Sequence, residues 1–214
     1  MKYEYLLFDL DGTLTDPGEG ITNSTAYALA KHGITVADKR ELYCFIGPPL
    51  SESFSKYFGF DYEQSLVLVE DYREYFKDRG IFENKVYDGI SELLTELRAR
   101  GHKIVLATSK PEKFAKVILD HFDLAKYFDF VAGATMDESR NKKADVIRYA
   151  LDSFGIKDLK NAIMIGDREQ DVLGAHTCGL DSIGVLYGYG SRQEHESAGA
   201  TYIAETVNDI LNLV

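Results

Sequence analysis

Residues 6–16 read LLFDLDGTLTD, an apolar run that ends at two aspartates and a glycine. The leucines and phenylalanine of this run are typical of a strand that is buried on both faces, as in a parallel sheet covered by helices. Asp11-Gly12 is typical of a tight turn after such a strand. The segment therefore predicts a buried strand whose carboxyl end presents Asp9 and Asp11.

Beyond residue 82 the chain alternates between short apolar runs and amphipathic helical patterns. Strands are predicted at residues 104–107, 128–132, 162–165 and 182–186, with helices between them, including one at 143–154. This alternation is typical of an α/β fold with a doubly wound, Rossmann-like parallel sheet. Because such sheets bind ligands at the carboxyl ends of their strands, we expect the functional residues there.

The segment between the first strand and this alternation has a different pattern. Residues 16–82 contain successive helical patterns that end at glycines, and they contain no run typical of a strand. We predict an inserted α-helical cap made of residues 16–82, and a Rossmann-like core made of residues 1–15 and 83–214. Most of the aromatic residues in the insertion are expected to fill the core of a small helical bundle.

Composition argues against several classes of function. The chain has 214 residues and a formal net charge of −11, which disfavours non-specific binding to a nucleic acid polymer or an anionic membrane surface. Its apolar runs are shorter than the roughly 18 residues that a membrane span needs. The N-terminus lacks the pattern of a signal peptide. Two cysteines are too few for a disulfide framework, so we expect a cytoplasmic protein.

Three predicted strand ends bring oxygen donors to one crevice. The residues at these ends are Asp9 and Asp11, Thr108 and Ser109, and Asp167 and Asp171. Clustered carboxylates repel one another unless a hard cation lies among them, and oxygen ligands without His or Cys favour Mg²⁺. One aspartate can attack phosphorus, and a second can exchange a proton with the leaving oxygen. The pattern therefore predicts Mg²⁺-dependent phosphoryl transfer, with Lys142 or Lys143 as the cation that meets the phosphate.

The same residues carry a resemblance to a known family. The two longer motifs are DLDGTLTD at residues 9–16 and GDREQD at residues 166–171. The four motif positions are separated by 99, 35 and 24 residues, counted in order over Asp9, Thr108, Lys143 and Asp167. Along essentially its whole length the chain resembles the haloacid dehalogenase-like hydrolase superfamily. Within it, the chain looks most like the phosphoglycolate-phosphatase and bacterial 5′-nucleotidase branch.

The resemblance implies roles for four aspartates. Asp9 would be the nucleophile that forms an aspartyl-phosphate, and Asp11 would be the general acid and base. The implied Mg²⁺ ligands are Asp9, Asp167 and Asp11, the last through its backbone carbonyl. Asp171 would be a carboxylate next to these ligands. The presence of Asp11 argues against a dehalogenase or a phosphonate hydrolase, which generally lack this second aspartate.

The resemblance also implies a phosphate-binding set of Thr108, Ser109 and Lys143. Many relatives have Lys-Pro at the third motif, whereas this chain has Lys142-Lys143-Ala144. Register with the helix that follows favours Lys143. Lys142 stays as the alternative.

The implied function is hydrolysis of a small-molecule phosphate ester by a monomer or homodimer. A nucleoside 5′-monophosphate is the preferred substrate hypothesis, since cap aromatics such as Tyr43, Phe45 or Phe54 could stack on a base. Phosphoglycolate is the alternative substrate. A sugar phosphomutase and a catalytically idle binding module are the remaining alternatives, and the idle module is disfavoured because every motif residue is present.

Overall fold

The computed structural model describes residues 2–214. The chain divides into two compact units, of which the first comprises Met1–Thr15 and Val86–Val214, and the second comprises Asp16–Lys85. The second unit is continuous in sequence and lies between the two segments that make up the first. No helix within residues 2–214 combines the length and the hydropathy that a membrane crossing requires.

The strands in chain order are β1 (Tyr5–Phe8), β2 (Thr15–Asp16), β3 (Lys85–Val86), β4 (Lys103–Pro111), β5 (Phe130–Ala134), β6 (Ala162–Gly166), β7 (Asp181–Val185) and β8 (Tyr202–Ala204). The α-helices are α1 (Gly18–Lys31), α2 (Leu50–Phe58), α3 (Tyr62–Tyr75), α4 (Ile90–Ala99), α5 (Glu112–His121), α6 (Lys143–Phe154), α7 (Glu169–Thr177), α8 (Arg192–Ala198) and α9 (Ile210–Leu213). Short 3₁₀ segments lie at Lys39–Phe45, Ala125–Tyr127, Leu159–Asn161 and Val207–Asp209, and a π-helical turn follows α3 at Phe76–Gly80.

Six strands form one parallel sheet in the order β5-β4-β1-β6-β7-β8, which confirms the predicted Rossmann-like α/β fold. The first strand lies in the middle, where Leu6 pairs with Ile104 of β4 and with Ile163 of β6. The carboxyl ends of β1, β4 and β6 are therefore neighbours. This arrangement brings the three predicted groups of polar residues to the same edge of the sheet.

One face of the sheet packs against α6. Leu7, Val105 and Met164 are fully buried in a cluster with Val146 and Ile147 of this helix. A helix pattern with apolar residues at this spacing has to bury one face, and here it buries that face on the central strands. The packing fixes the position of α6 and hence of Lys143, its first residue.

The structure corrects several element boundaries. Strand β4 continues to Pro111, four residues beyond the predicted end, and it has an irregular register between Thr108 and Pro111. Strand β5 begins at Phe130 instead of residue 128, because the 3₁₀ turn Ala125–Tyr127 is closed by Phe128 as its C-cap residue. The edge strand β8 was not predicted, since three residues are too few to show a period.

The inserted unit contains a buried aromatic cluster. Phe45 and Phe54 are at most 1% exposed, and their ring centroids are 4.9 Å apart. Phe45 also packs against Tyr57 and Phe58. Both rings are thus packing residues, and the hypothesis that they stack on a base is wrong. Tyr43, the third candidate, is 43% exposed.

Backbone segments of the inserted unit approach each other closely at Gly20 of α1. A Cβ atom at this position would lie 1.9 Å from the carbonyl oxygen of Gly80. The Gly20 N–H also donates to the Glu83 carbonyl at 2.9 Å. Only a residue without a side chain fits between these carbonyl groups.

We therefore expect Gly20→Ala to lower the free energy of unfolding by about 1–3 kcal/mol, as overpacking does elsewhere. In an unobstructed helix the same change would stabilise the protein by about 1 kcal/mol, so the sign alone is informative. Urea denaturation followed by circular dichroism measures the change, with Glu19→Ala at the neighbouring exposed position as the control. Unchanged or increased stability would contradict the close approach.

Candidate active site

The loop after β1 places two aspartates at the end of the central strand. The Asp9 N–H donates to the Ile165 carbonyl at 2.9 Å, which continues the sheet pairing to this residue. The chain then turns at Gly12, which has φ of +81° and donates its N–H to the Thr15 carbonyl at 2.7 Å. A Cβ atom at Gly12 would lie 2.1 Å from a carboxylate oxygen of Asp167, so glycine is required for conformation and for space.

Lys143 connects three groups at the start of α6. Its Nζ lies 2.9 Å from Asp9 Oδ1, 2.7 Å from Asp171 Oδ1 and 3.1 Å from the Ala107 carbonyl oxygen. Burial by itself would lower the pKa of this lysine. The negative charges of Asp171 and Asp9 have the larger effect and raise the pKa to about 12. Lys143 therefore stays charged and compensates the carboxylate of Asp9.

The structure distinguishes between the two candidate lysines. Lys143 is 6% exposed and contacts Asp9, whereas Lys142 is exposed and occupies the N-cap position of α6. Gly174 of α7 allows this placement, because a Cβ atom there would lie 2.8 Å from Cγ of Lys143. Of the two lysines, Lys143 is therefore the one that contacts the buried aspartates.

Asp167 and Asp171 lie beside Asp9 at the end of β6. Asp167 is fully buried, and its Oδ2 accepts the Tyr189 N–H at 2.8 Å, while Asp171 Oδ2 accepts the Arg168 N–H at 3.1 Å. Burial raises the pKa of Asp167 well above its usual range, and the charges of Asp171 and Asp9 raise it further. Burial also raises the pKa of Asp171 to about 6, although Lys143 opposes the shift. Both carboxyl groups lack sufficient compensating charge.

A divalent cation fits this arrangement. Oxygen atoms of Asp9, Asp167 and Asp171 lie within 4.8 Å of one another, and all three residues are buried. The donor set contains oxygen only, which suits Mg²⁺. Two of these carboxylates, Asp9 and Asp167, belong to the metal set expected from the sequence, whose third member is the Asp11 backbone carbonyl, and Asp171 is the carboxylate expected next to them.

The end of β4 supplies hydroxyl groups and an additional lysine. Thr108 is 1% exposed, its Oγ1 accepts the Lys110 N–H at 3.2 Å, and Ser109 is half-buried next to it. Lys110 Nζ lies 2.6 Å from Asp11 Oδ2. In the sequence Lys110 directly follows Thr108 and Ser109, but it received no predicted role because the cation that meets the phosphate was expected at Lys142 or Lys143. Alternation along a longer strand would have placed Thr108 and Lys110 on one face.

A second feature that sequence reasoning missed is the loop after β7, Tyr187-Gly188-Tyr189-Gly190. Besides the N–H bond to Asp167, it donates the Tyr187 hydroxyl to the Thr13 carbonyl at 3.1 Å. Its glycines approach the site closely, since a Cβ atom at Gly190 would lie 1.9 Å from the Asp167 carbonyl oxygen. The alternation of glycine and tyrosine after a strand was the available signal.

Comparisons with known proteins agree with this geometry. The model of the family described as haloacid dehalogenase-like hydrolase matches residues 6–185. A 5′-nucleotidase of Pseudomonas aeruginosa is 47% identical over 194 residues, covering 91% of this chain and 87% of that protein. Tyrosine-protein kinase PtkA of Mycobacterium tuberculosis is 36% identical over 211 residues, covering 97% of this chain and 71% of the kinase.

The chain is also similar to solved structures of phosphatases. The crystal structure of a predicted phosphatase from Clostridium acetobutylicum superposes with a TM-score of 0.97 at 52% identity, covering 100% of this chain and 98% of that one. The similarity therefore extends over both units of the chain.

The raised carboxyl pKa values predict how the pH affects the stability of the metal-free protein. Asp171 binds a proton more tightly in the folded protein, where its pKa is about 6, than in the unfolded chain, where it is about 3.8. The folded state therefore holds more protons between these values, and the stability falls as the pH rises through this window. A pKa difference of this size corresponds to a loss of at most about 3 kcal/mol in the free energy of unfolding.

Thermal unfolding of wild type and Asp171→Asn in EDTA, between pH 4.5 and 7.5, measures this effect. We expect the difference in stability, variant minus wild type, to grow with pH. The comparison cancels the contributions of His102 and His195, whose pKa values burial lowers and which therefore act in the opposite direction. Added Mg²⁺ should diminish the wild-type loss. A constant difference between the two proteins would contradict the assigned pKa direction.

Proposed function

Because the chain belongs to the haloacid dehalogenase-like hydrolase family and is a phosphatase, we propose that it hydrolyses small phosphate monoesters with Asp9 as the nucleophile. The observation that carries the proposal is the pairing of Asp9 with Lys143, 2.9 Å apart, beside the carboxylates of Asp167 and Asp171. A dianionic phosphate would be repelled by an uncompensated carboxylate. Lys143 removes that repulsion.

In the first step, an oxygen of Asp9 attacks phosphorus and the bond between phosphorus and the leaving oxygen breaks. The leaving oxygen keeps the bonding electron pair and takes a proton from Asp11. The Thr108 hydroxyl, Ser109 and Lys143 bind the oxygens that are not transferred, where negative charge develops. The product of this step is an aspartyl-phosphate on Asp9.

In the second step, water attacks the phosphorus of the aspartyl-phosphate. Asp11, now ionised, accepts the proton of the water molecule, and the bond between phosphorus and Asp9 breaks. Inorganic phosphate leaves, and both aspartates return to their starting protonation states. Asp11 therefore has to act as an acid in one step and as a base in the next.

We further propose that Mg²⁺ is bound by the carboxylates of Asp9 and Asp167 and by the Asp11 backbone carbonyl, with Asp171 beside them. When bound, the ion supplies positive charge that polarises the phosphate. Two hydrogen bonds hold Asp167 for this role. The Thr13 hydroxyl donates to Asp167 Oδ1 at 3.4 Å, and the Tyr189 backbone N–H donates to Asp167 Oδ2 at 2.8 Å.

The proposed substrate class is nucleoside 5′-monophosphates. Its support is the relative named 5′-nucleotidase, which is 47% identical and aligns with 91% of this chain. The structures named as phosphoglycolate phosphatases are 23% identical and support the fold alone, so phosphoglycolate stays the second candidate. We assign the choice of leaving group to the inserted unit, Asp16–Lys85, as a substrate-selecting cap.

We also propose an oligomeric state and a cellular compartment. All of the residues assigned to the chemistry come from one chain, which supports a monomer or a homodimer. Cys44 and Cys178 are both free thiols, which supports a reducing, cytoplasmic environment.

Replacing Asp9 and Asp11 tests the assigned chemistry. Asp9→Asn should abolish turnover because an amide cannot form the acyl-phosphate, and Asp11→Asn should lower kcat by roughly two to four orders of magnitude. Steady-state phosphate release measures both, and mass spectrometry of the acid-quenched enzyme detects the phosphorylated intermediate. Asp152→Asn, at an exposed position of α6, is the control. Activity of Asp9→Asn near that of wild type would exclude Asp9 as the nucleophile.

A substrate panel tests the proposed class and the alternatives. Nucleoside 5′-monophosphates, phosphoglycolate and sugar phosphates are each assayed with Mg²⁺ and with EDTA. We expect the highest kcat/KM on a nucleoside monophosphate, loss of activity in EDTA and recovery with Mg²⁺ but not with Ca²⁺, whose coordination is looser. Preference for phosphoglycolate would reassign the substrate. Transfer from ATP to a tyrosine peptide, without phosphate release, would favour a kinase.

A further inference from the structure

Lys110 and Asp11 form a buried ion pair that the proposed chemistry does not yet use. The distance from Lys110 Nζ to Asp11 Oδ2 is 2.6 Å, and the two side chains are 5% and 11% exposed. A lysine is rarely buried unless it has a charged partner. The pair lies at the adjoining ends of β1 and β4, beside the proposed nucleophile.

The two oxygens of Asp11 have different surroundings. Oδ2 contacts Lys110, whereas the buried Oδ1 has no hydrogen-bond partner among residues 2–214. A lysine ammonium group has three donors and no acceptor, so Oδ2 can only accept from it. When Asp11 is neutral, its proton therefore belongs on Oδ1. The ion pair thus leaves one oxygen, Oδ1, for proton exchange.

The backbone around Lys110 fixes its position. Its N–H donates to Thr108 Oγ1 at 3.2 Å, and the next residue is Pro111, at the N-cap of α5 with φ of −52°. The Lys110 carbonyl oxygen packs so closely on Gly133 that a Cβ atom there would lie 2.8 Å from it. The backbone of Lys110 is therefore fixed in position, which lowers the conformational entropy that its side chain loses when it contacts Asp11.

We propose that Lys110 is a positioning residue that holds Asp11 by Oδ2 and thereby dedicates Oδ1 to proton transfer with the reacting oxygens. This inference rests on the proposed function, in which Asp11 is the acid and base. As the bond between phosphorus and the leaving oxygen breaks, Oδ1 gives up its proton to that oxygen. In the second step Oδ1 takes one proton from water. Lys110 keeps its own protons throughout.

The proposal predicts a dependence on the leaving group that a purely structural lysine would not show. An alkoxide leaves only when protonated, whereas p-nitrophenolate leaves without a proton. The quantity to compare is kcat/KM, because it reports only the steps up to release of the leaving group and not the hydrolysis of the aspartyl-phosphate. The two probes are adenosine 5′-monophosphate and p-nitrophenyl phosphate.

For Lys110→Met we expect kcat/KM to fall roughly 100-fold on adenosine 5′-monophosphate and less than about fivefold on p-nitrophenyl phosphate, since only the first ester needs a positioned acid. Asp11→Asn should show the same selectivity. The double variant should be no worse than Asp11→Asn, because the two residues act as one unit. Lys110→Arg, which keeps the charge and the donors, should recover most of the loss. Lys116→Met, on the exposed face of α5, is the matched control.

The possible failures can be told apart. Circular dichroism and thermal unfolding show whether Lys110→Met is folded, and Lys110→Arg provides a second variant if it is not. Equal losses on both esters, an additive loss in the double variant, or no loss at all would overturn the role of Lys110. Absence of wild-type hydrolysis of either ester would instead overturn the proposed function. Wild-type hydrolysis of both esters, with Asp11→Asn insensitive to the leaving group, would overturn the role of Asp11.

Discussion

Buried negative charge determines which groups surround the ends of the central strands. Four buried aspartates lie at one edge of the sheet, and two buried lysines face them; the residues are Asp9, Asp11, Asp167, Asp171, Lys110 and Lys143. If all six were charged, the sum would be −2, which one divalent cation neutralises. Without a metal ion, this excess of negative charge raises the pKa values of Asp167 and Asp171, together with the effect of burial.

The glycines around the site follow from this constraint. Burying a carboxylate requires donors at short range, and the backbone N–H of Tyr189 is one of them. The chain can approach Asp167 this closely only without side chains, which accounts for Gly12, Gly188 and Gly190. The two loops after β1 and β7 therefore form one support for the same carboxylate, although 174 residues separate Thr13 from Tyr187.

The sequence predicted the parts of the site that depend on strand order. Apolar runs that alternate with helices predict a parallel sheet, and the ends of its strands bring Asp9, Thr108 and Asp167 to one edge. The structure places them there. Lys110 could not be found in this way, because its role depends on how far β4 continues, which local periodicity does not determine. Burial of most aromatic residues in the insertion was expected, but which of them are buried, such as Phe45, could not be predicted because the direction of each side chain depends on tertiary packing.

Two aspartates on one short loop can have different chemistry because each has its own lysine. Lys143 is shared between Asp9 and Asp171 and also contacts the Ala107 carbonyl, so its charge is held in place beside the proposed nucleophile. Lys110 pairs with Asp11, and burial raises the pKa of Asp11 above its usual value although that lysine opposes the shift. A group that must donate a proton in one step and accept one in the next works best under such a balance. The packing of α6 places Lys143 and the continuation of β4 places Lys110, so the proposed nucleophile and the proposed acid–base group have different partners although they are only two residues apart.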